Sequence, residues 1–342
     1  MKTFAVFVLV IVVIAGAAAA VLFFRLGESY RAYDGTEQFV EIPQGAGSRA
    51  IGERLVAGGI VKDPLTFRLA LWRSGKARQL KAGEYRFEHA MTAAEVIDKL
   101  ARGDVYTVSV TFPEGLTILD MAKIYESHGL GTAKAFSDAA KDVTAIRDVD
   151  PAADDLEGYL FPETYALPRK SDASSLVKQM VGGFRHALTP AIRDAAAARN
   201  LSVRQLVTLA SIVEKETARA EERPTVSAVY QTRLRIGMPL QCDPTVIYAL
   251  IKAGRYDGNI HRDDLSFDSP YNTYRNPGLP PGPIANPGRA SIEAAAHPAD
   301  ADYLYFVSRN DGSHEFARTL EEHSRNVQKY QVEYFRERRQ KR

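Results

Sequence analysis

The 21 residues from Phe4 to Phe24 contain no charged side chain. At a rise of 1.5 Å per residue, a helix of that length measures about 32 Å, enough to cross the hydrocarbon of a bilayer. Any globular part of the chain must therefore fold beyond this run. The stretch Ala15-Gly16-Ala17-Ala18-Ala19-Ala20 has the small residues of a cleavage region, but Val21-Leu22-Phe23-Phe24 continues the apolar run past it. The expectation is a retained single-pass transmembrane anchor over residues 1–25 rather than a removed signal. Lys2 on one side and Arg25, Glu28 and Arg31 on the other give little charge bias for orientation. No second span follows, so the remainder lies wholly on one side of the membrane.

The 342 residues leave room for about two domains after the anchor. Forty-four basic and forty-two acidic side chains give a net charge of +2, so no general field draws in a polyanion, and nucleic acid is excluded as an expected partner. The basic cluster Arg336, Arg338, Arg339, Lys341 and Arg342 reads as a solvated helix end. Cys242 is the single cysteine, so neither an internal disulfide nor a thiolate zinc site can form.

A polar linker, residues 26–36, precedes a half-repeat. Val40-Glu-Ile-Pro43-Gln-Gly45 recurs seventy residues later as Val110-Thr-Phe-Pro113-Glu-Gly115, and Ile51, Leu55 and Gly59-Ile60 match Met121, Tyr125 and Gly129-Leu130 at the same shift. Each copy reads as a strand, a turn and an amphipathic helix. Between them the spacing predicts a helix near Pro64 to Arg73, a strand near Gly83 to Phe87, and a helix opened by a Thr92/Glu95 capping box. This unit, residues 37–110, resembles the LysM-like module of wall-binding proteins, with glycan binding and a spacer role both open. From residue 111 to 335 longer helices dominate: Thr189-Pro190, Ser202 with Gln205, and Asp243-Pro244 each open one. Asn310-Asp311-Gly312-Ser313 marks a hairpin, and Thr319 with Glu322 caps a last helix. The fold class expected is α+β: a helix-rich second domain with a small antiparallel sheet.

Several familiar motifs fail on their own chemistry. His314-Glu315 is followed by Arg318 where a zinc protease needs a second histidine; Gly45-Ala-Gly47 lacks the third glycine of a dinucleotide loop; Ser175-Leu-Val-Lys178 has no accompanying Lys-Thr-Gly. Two carboxylates remain on the helix after Ser202. On a 100° wheel Glu214 falls within the apolar face formed by Val203, Leu206, Val207, Ala210 and Val213, and Glu216 falls at its border. A glutamate sheltered by apolar neighbours has a raised pKa, as a general acid near neutral pH requires. A structural role for both is equally compatible with the wheel. Downstream come Gln241-Cys242-Asp243-Pro244-Thr245, Tyr271-Asn272-Thr273-Tyr274 and Gly278 to Gly288, and from Ser269 to Arg289 the chain is dense in Pro, Gly, Asn and Tyr and almost without charge. Such a long loop is functional or disordered, and its amides, hydroxyls and rings suit a neutral polysaccharide.

Together, Leu156-Glu-Gly-Tyr159-Leu-Phe-Pro-Glu163-Thr-Tyr165, Ala210-Ser-Ile-Val-Glu-Lys-Glu-Thr217, Arg233-Leu-Arg-Ile-Gly-Met238, Asp243-Pro-Thr-Val246, Tyr271-Asn-Thr-Tyr274, Gly278-Leu-Pro-Pro-Gly282, Ala295-Ala-His-Pro298 and Tyr303-Leu-Tyr-Phe306 resemble the YceG-like family of endolytic murein transglycosylases. The resemblance implies that Glu216, the second glutamate of the Glu-Lys-Glu pair, is the catalytic acid and base, with Glu214 supporting it or structural. It implies a glycan-binding surface drawn from Gln241, Asp243, Thr245, Asn272, Thr273, Tyr274 and Asn286. It also implies cleavage of the β-1,4 bond between N-acetylmuramic acid and N-acetylglucosamine within peptidoglycan strands, leaving 1,6-anhydro ends, without metal or cofactor. Export of the catalytic domain, strand termination during wall synthesis and meetings with membrane synthases follow from the same likeness. Cys242 departs from it, standing where the family usually has a small hydroxyl residue. Two alternatives stay open: a muramidase that uses water with Asp243 or Glu214 as second carboxylate, and a wall-binding scaffold without catalysis.

Overall fold

In a computed structural model of the chain, residues 9, 13, 14, 16, 24–169 and 171–340 are described. Apart from five of its residues, the apolar run 4–24 lies outside them, so the expectation of a membrane anchor rests on sequence alone. Among the described residues no helix is long and apolar enough to cross a membrane. The protein is α+β, with α-helices and small two-stranded sheets. It divides into two compact units: residues up to Val108 together with Ala166–Arg169, and Ser109–Tyr165 with the rest of the chain from residue 170.

In the first unit, strand β1 (Gln38–Ile42) pairs antiparallel with β2 (Gly83–Phe87), Val40 opposite Tyr85. Helices α1 (Ser48–Ala57), α2 (Pro64–Ser74) and α3 (Ala93–Arg102) accompany them. Alternation along the strands sends Val40, Ile42, Tyr85 and Phe87 into a core shared with Ile51, Leu55, Phe67, Val96, Ile97 and Leu100. The capping box expected of α3 is formed: the Thr92 hydroxyl accepts from the Glu95 amide at 3.2 Å, and the Glu95 carboxylate from the Thr92 amide at 2.7 Å. Such a cap stabilises by about 1 kcal/mol.

The second unit opens at the second residue of β3 (Val108–Thr111), which with α4 (Ile118–Ser127) forms the other copy of the repeat, and the two copies agree in backbone as well as sequence. Gly45 and Gly115 lie at φ 77° and 76°, Gly59 and Gly129 at 70° and 67°. Helix α5 (Ala133–Ala139) and strand β4 (Thr164–Leu167), the partner of β3, come next. The remaining α-helices are α6 (Ala173–Ala187), α7 (Pro190–Ala198), α8 (Val203–Glu216), α9 (Arg223–Arg235), α10 (Asp243–Lys252) and α11 (Arg289–Ala296); then come hairpin β5 (Tyr305–Ser308) and β6 (His314–Ala317), α12 (Leu320–Val327) and α13 (Tyr334–Gln340). Every residue from Leu206 to Val213 is buried, as expected of a helix enclosed on all sides. Helices α7, α9, α10 and α11 surround it. The alanines of α11 allow its backbone close to α8.

Glycine is indispensable at one position beside this axis. Gly158 has φ +88°, and a Cβ there would lie 2.5 Å from Pro283 and 2.8 Å from Val207 of α8. The Pro/Gly-rich loop thereby reaches the 156–160 segment directly. Gly158→Ala combines a left-handed backbone with overlap against packed, inflexible atoms, and should cost about 2 kcal/mol or more in chemical unfolding. A loss within 0.5 kcal/mol would show that this contact does not constrain the fold.

Candidate active site

Helix α8 starts at a capping box in which the Ser202 hydroxyl accepts from the Gln205 amide and the Gln205 side chain accepts from the Ser202 amide, and it ends in Glu214-Lys215-Glu216. Those three residues have three separate tasks. Glu214, with a side chain only 5% exposed, accepts from Arg223 at 2.9 Å and from the Gly288 amide at 3.0 Å. Lys215 donates to the Gly115 carbonyl at 3.0 Å. Both therefore staple the end of α8 to neighbouring loops. Glu216 turns the other way, into a pocket of about 350 Å³ within the second unit.

The pocket is walled by Tyr230 and Arg233 of α9, Gln241, Asp243, Tyr274, Tyr305 and Phe306 of β5, and Leu320 and His323 of α12. Tyr230 donates to Glu216 Oε1 at 2.6 Å, and the thiol of Cys242 donates to the same oxygen at 3.0 Å. Burial raises the Glu216 pKa above the usual carboxylate range. The hydrogen bonds from Cys242 and Tyr230 oppose that rise, the charge of Asp243 adds to it and that of His314 reduces it, and burial prevails. Burial also pushes the Cys242 thiol and the Tyr230 phenol well above their ordinary values, so both keep their protons. Burial and the neighbouring charge of Arg233 hold the His323 imidazole below its usual value.

Gln241 lies at φ 48°, uncommon for a residue with a side chain. Its amide bonds the Thr273 carbonyl at 3.3 Å, and the next amide, of Cys242, bonds the Thr273 hydroxyl at 3.0 Å. This turn leaves Cys242 buried beside Glu216 while Gln241 and Asp243 stand exposed on the pocket wall. Tyr274 donates to Asp243 Oδ1 at 2.5 Å.

Of the residues expected from sequence to meet a glycan, Gln241, Asp243 and Tyr274 thus share the pocket with Glu216. Thr245, Asn272, Thr273 and Asn286 are at most 1% exposed and spend their polar atoms inside the protein. Thr245 joins Thr273 at 2.9 Å. Asn272 donates to the carbonyls of Leu265 and Phe267 at 3.0 and 2.8 Å and accepts from the Tyr274 amide at 3.0 Å. Asn286 bonds the amides of Gly158 and Leu160, the Leu116 carbonyl and the Glu157 carboxylate. The structure makes these four the frame that holds the loop. Sequence reasoning missed Tyr230, Arg233, Tyr305, Phe306, Leu320 and His323; of these only Arg233, Tyr305 and Phe306 fall in motif segments quoted above.

The profile of the YceG-like family matches residues 40–329. The "Endolytic murein transglycosylase" of Bacillus subtilis (strain 168) is 33% identical over 307 residues, covering 85% of this chain and 84% of that protein. The protein of the same name from Streptococcus pneumoniae (strain D39) is also 33% identical, over 84% of this chain, which spans only 57% of that relative. The crystal structure of a YceG-like protein from Listeria monocytogenes superposes with a TM-score of 0.58 at 32% identity, covering 85% of this chain and 98% of that one. This chain belongs to the YceG-like family.

Frame and wall make separable predictions. Asn272→Ala takes the side-chain partner from two half-buried carbonyls and from the Tyr274 amide and should lower stability by about 2 kcal/mol. Tyr274→Phe, which removes one hydroxyl from the pocket, should leave the melting temperature within about 2 °C. Thermal unfolding of both variants decides; equal losses would mean that Tyr274 also belongs to the frame.

Proposed function

We propose that this chain is an endolytic murein transglycosylase, with Glu216 as its acid and base. The observation that carries the reading is a carboxyl with a raised pKa at the end of a rigid helix, opening into a pocket lined by aromatic rings and polar side chains, Arg233 and Asp243 among them. The names borne by the relatives above support it. Glu216, entering protonated, gives its proton to the glycosidic oxygen between N-acetylmuramic acid and N-acetylglucosamine. The resulting carboxylate takes the proton of the muramic C6 hydroxyl, which closes on its own C1 as a 1,6-anhydro ring. The sugar supplies the nucleophile, so one protein carboxylate suffices. Gln241, Asp243 and Tyr274 would contact the glycan, with Tyr305 and Phe306 offering apolar faces. Glu214 serves structure.

Asp243 in the same pocket favours a second reading, a muramidase in which that carboxylate activates water. The products separate the two, since an anhydro end is lighter by one water than a hydrolysed end. In the cell, the reading extends to a protein held in the cytoplasmic membrane by residues 1–25, facing outward and ending nascent strands beside peptidoglycan synthases. The first unit could bind glycan as a LysM-like module or act as a spacer.

Glu216→Gln keeps the shape of the side chain but not its proton. General acid/base help is worth about 10²- to 10⁴-fold, and here one residue serves both steps, so activity on isolated murein should fall to background. Mass analysis of fragments from the unaltered protein should show 1,6-anhydro ends. Hydrolysed ends would replace this mechanism with the muramidase, full activity of the Glu216 variant would remove Glu216 as the acid and base, and no cleavage by the unaltered protein would leave only a binding scaffold. Removing residues 1–25 should give a soluble protein that still cleaves murein; a folded but inactive product would refute a pure tether.

A further inference from the structure

Glu216 receives both of its protein hydrogen bonds on one oxygen. Tyr230 lies 2.6 Å and the Cys242 thiol 3.0 Å from Oε1, and among the described residues no hydrogen bond to Oε2 is found. The two donors come from independent places, the middle of α9 and the residue before α10, and both are at most 2% exposed. Each keeps its own proton, so neither can exchange roles with the carboxyl. An oxygen that already accepts two hydrogen bonds has its lone pairs engaged, and the acid proton belongs on the other oxygen.

On the reading of Glu216 as acid and base, we propose that Tyr230 and Cys242 are positioning residues that clamp Oε1, so that the proton leaves from and returns to Oε2 alone. In the first step the Oε2 proton passes to the glycosidic oxygen as its bond to C1 breaks. In the second, Oε2 takes the proton of the C6 hydroxyl as the bond from O6 to C1 forms, and Glu216 ends as it began. Holding one oxygen toward the substrate removes a rotation that each transfer would otherwise have to wait for.

The two donors are unequal, because a phenol is a strong donor and a thiol a weak one. Hydrogen bonds to a carboxylate favour its charged form, so a stronger donor at position 242 makes Glu216 more acidic and a missing donor makes it less so. A general acid is lost as pH rises through its pKa, and the alkaline limb of the rate profile follows that shift. The other titratable or charged groups around Glu216 are Asp243 and Tyr274, Arg233 of α9, Tyr305 of β5, His314 of β6 and His323 of α12. None of these is itself replaced by substitutions at positions 230 and 242.

The test is a pH profile on isolated murein for full-length Tyr230→Phe, Cys242→Ser and Cys242→Ala, with kcat and KM separated and folding followed by circular dichroism. Tyr230→Phe should lower kcat on the order of tenfold, keep KM within about twofold and move the alkaline limb up. Cys242→Ala should also move it up, and Cys242→Ser down. Opposite shifts from two small replacements at one position are not what lost packing produces. Profiles that stay with the unaltered protein, or serine and alanine moving the limb together, overturn the clamp. If Tyr230→Phe does not fold, the near-isosteric serine variant still decides. Glu216→Gln run in parallel separates the failures: activity retained there removes the underlying reading, whereas an inactive Glu216 variant with an unmoved limb removes only the clamp.

Discussion

The side-chain amide of Asn286 joins three stretches of chain that are far apart in sequence. Its oxygen accepts from the amides of Gly158 and Leu160, both at 2.9 Å, and its nitrogen donates to the Leu116 carbonyl and the Glu157 carboxylate. An amide has two donors and two acceptor sites, so this group is saturated, and it is fully buried. Its backbone adds two more bonds, to Leu116 and from Gly115. Pro283, Ile284, Ala285 and Pro287 of the same loop are buried around it, and losing one partner of this amide strands several buried groups together. Glu157 shares this dependence. Burial drives its pKa up to about 8, and Ile118, Tyr248 and Asn286 donate to it.

From this node the order reaches the pocket by two routes. Gly288, two residues on, donates to Glu214, and the Gly115 carbonyl accepts from Lys215. The last turn of α8 is thus fixed from outside the helix, on the side away from the pocket. A reactive side chain on a helix held in this way is aimed more closely than one on a free loop. The Arg223–Glu214 pair completes the arrangement, with 9% and 5% of the side chains exposed. Buried pairs of this kind are a weak source of net stability but costly to break, which suits a part whose task is to keep a geometry.

Local signals in the chain carried the elements well. The Thr92/Glu95, Ser202/Gln205 and Thr319/Glu322 boxes all cap helices, Thr189-Pro190 opens another, and the Asn310 turn joins the expected hairpin. These are short-range interactions between residues a few positions apart, and a linear reading sees them directly. The wheel likewise separated buried Glu214 from the pocket-facing Glu216, because both sit on one helix. It could not tell which polar loop residues face inward. Asn272 and Tyr274 are two positions apart in one motif, yet the first is fully buried and the second lines the pocket. Tyr230 escaped for a related reason, and Cys242 stood out only as a departure from the family pattern. Their importance lies in meeting one carboxyl oxygen across 14 and 26 residues, and nothing in their immediate neighbours announces it.

Glu216 is the final residue of α8. The carbonyl end of a helix carries partial negative charge, which makes it the least hospitable terminus for a carboxylate. Together with burial, this places the acid where its ionised form is least welcome, and the fold gives up stability to hold it there. A neutral amide in its place would relieve that tension, yielding a sturdier protein without the acid that the proposed reaction needs. On the proposed reaction, robustness and work make opposite demands on this one position.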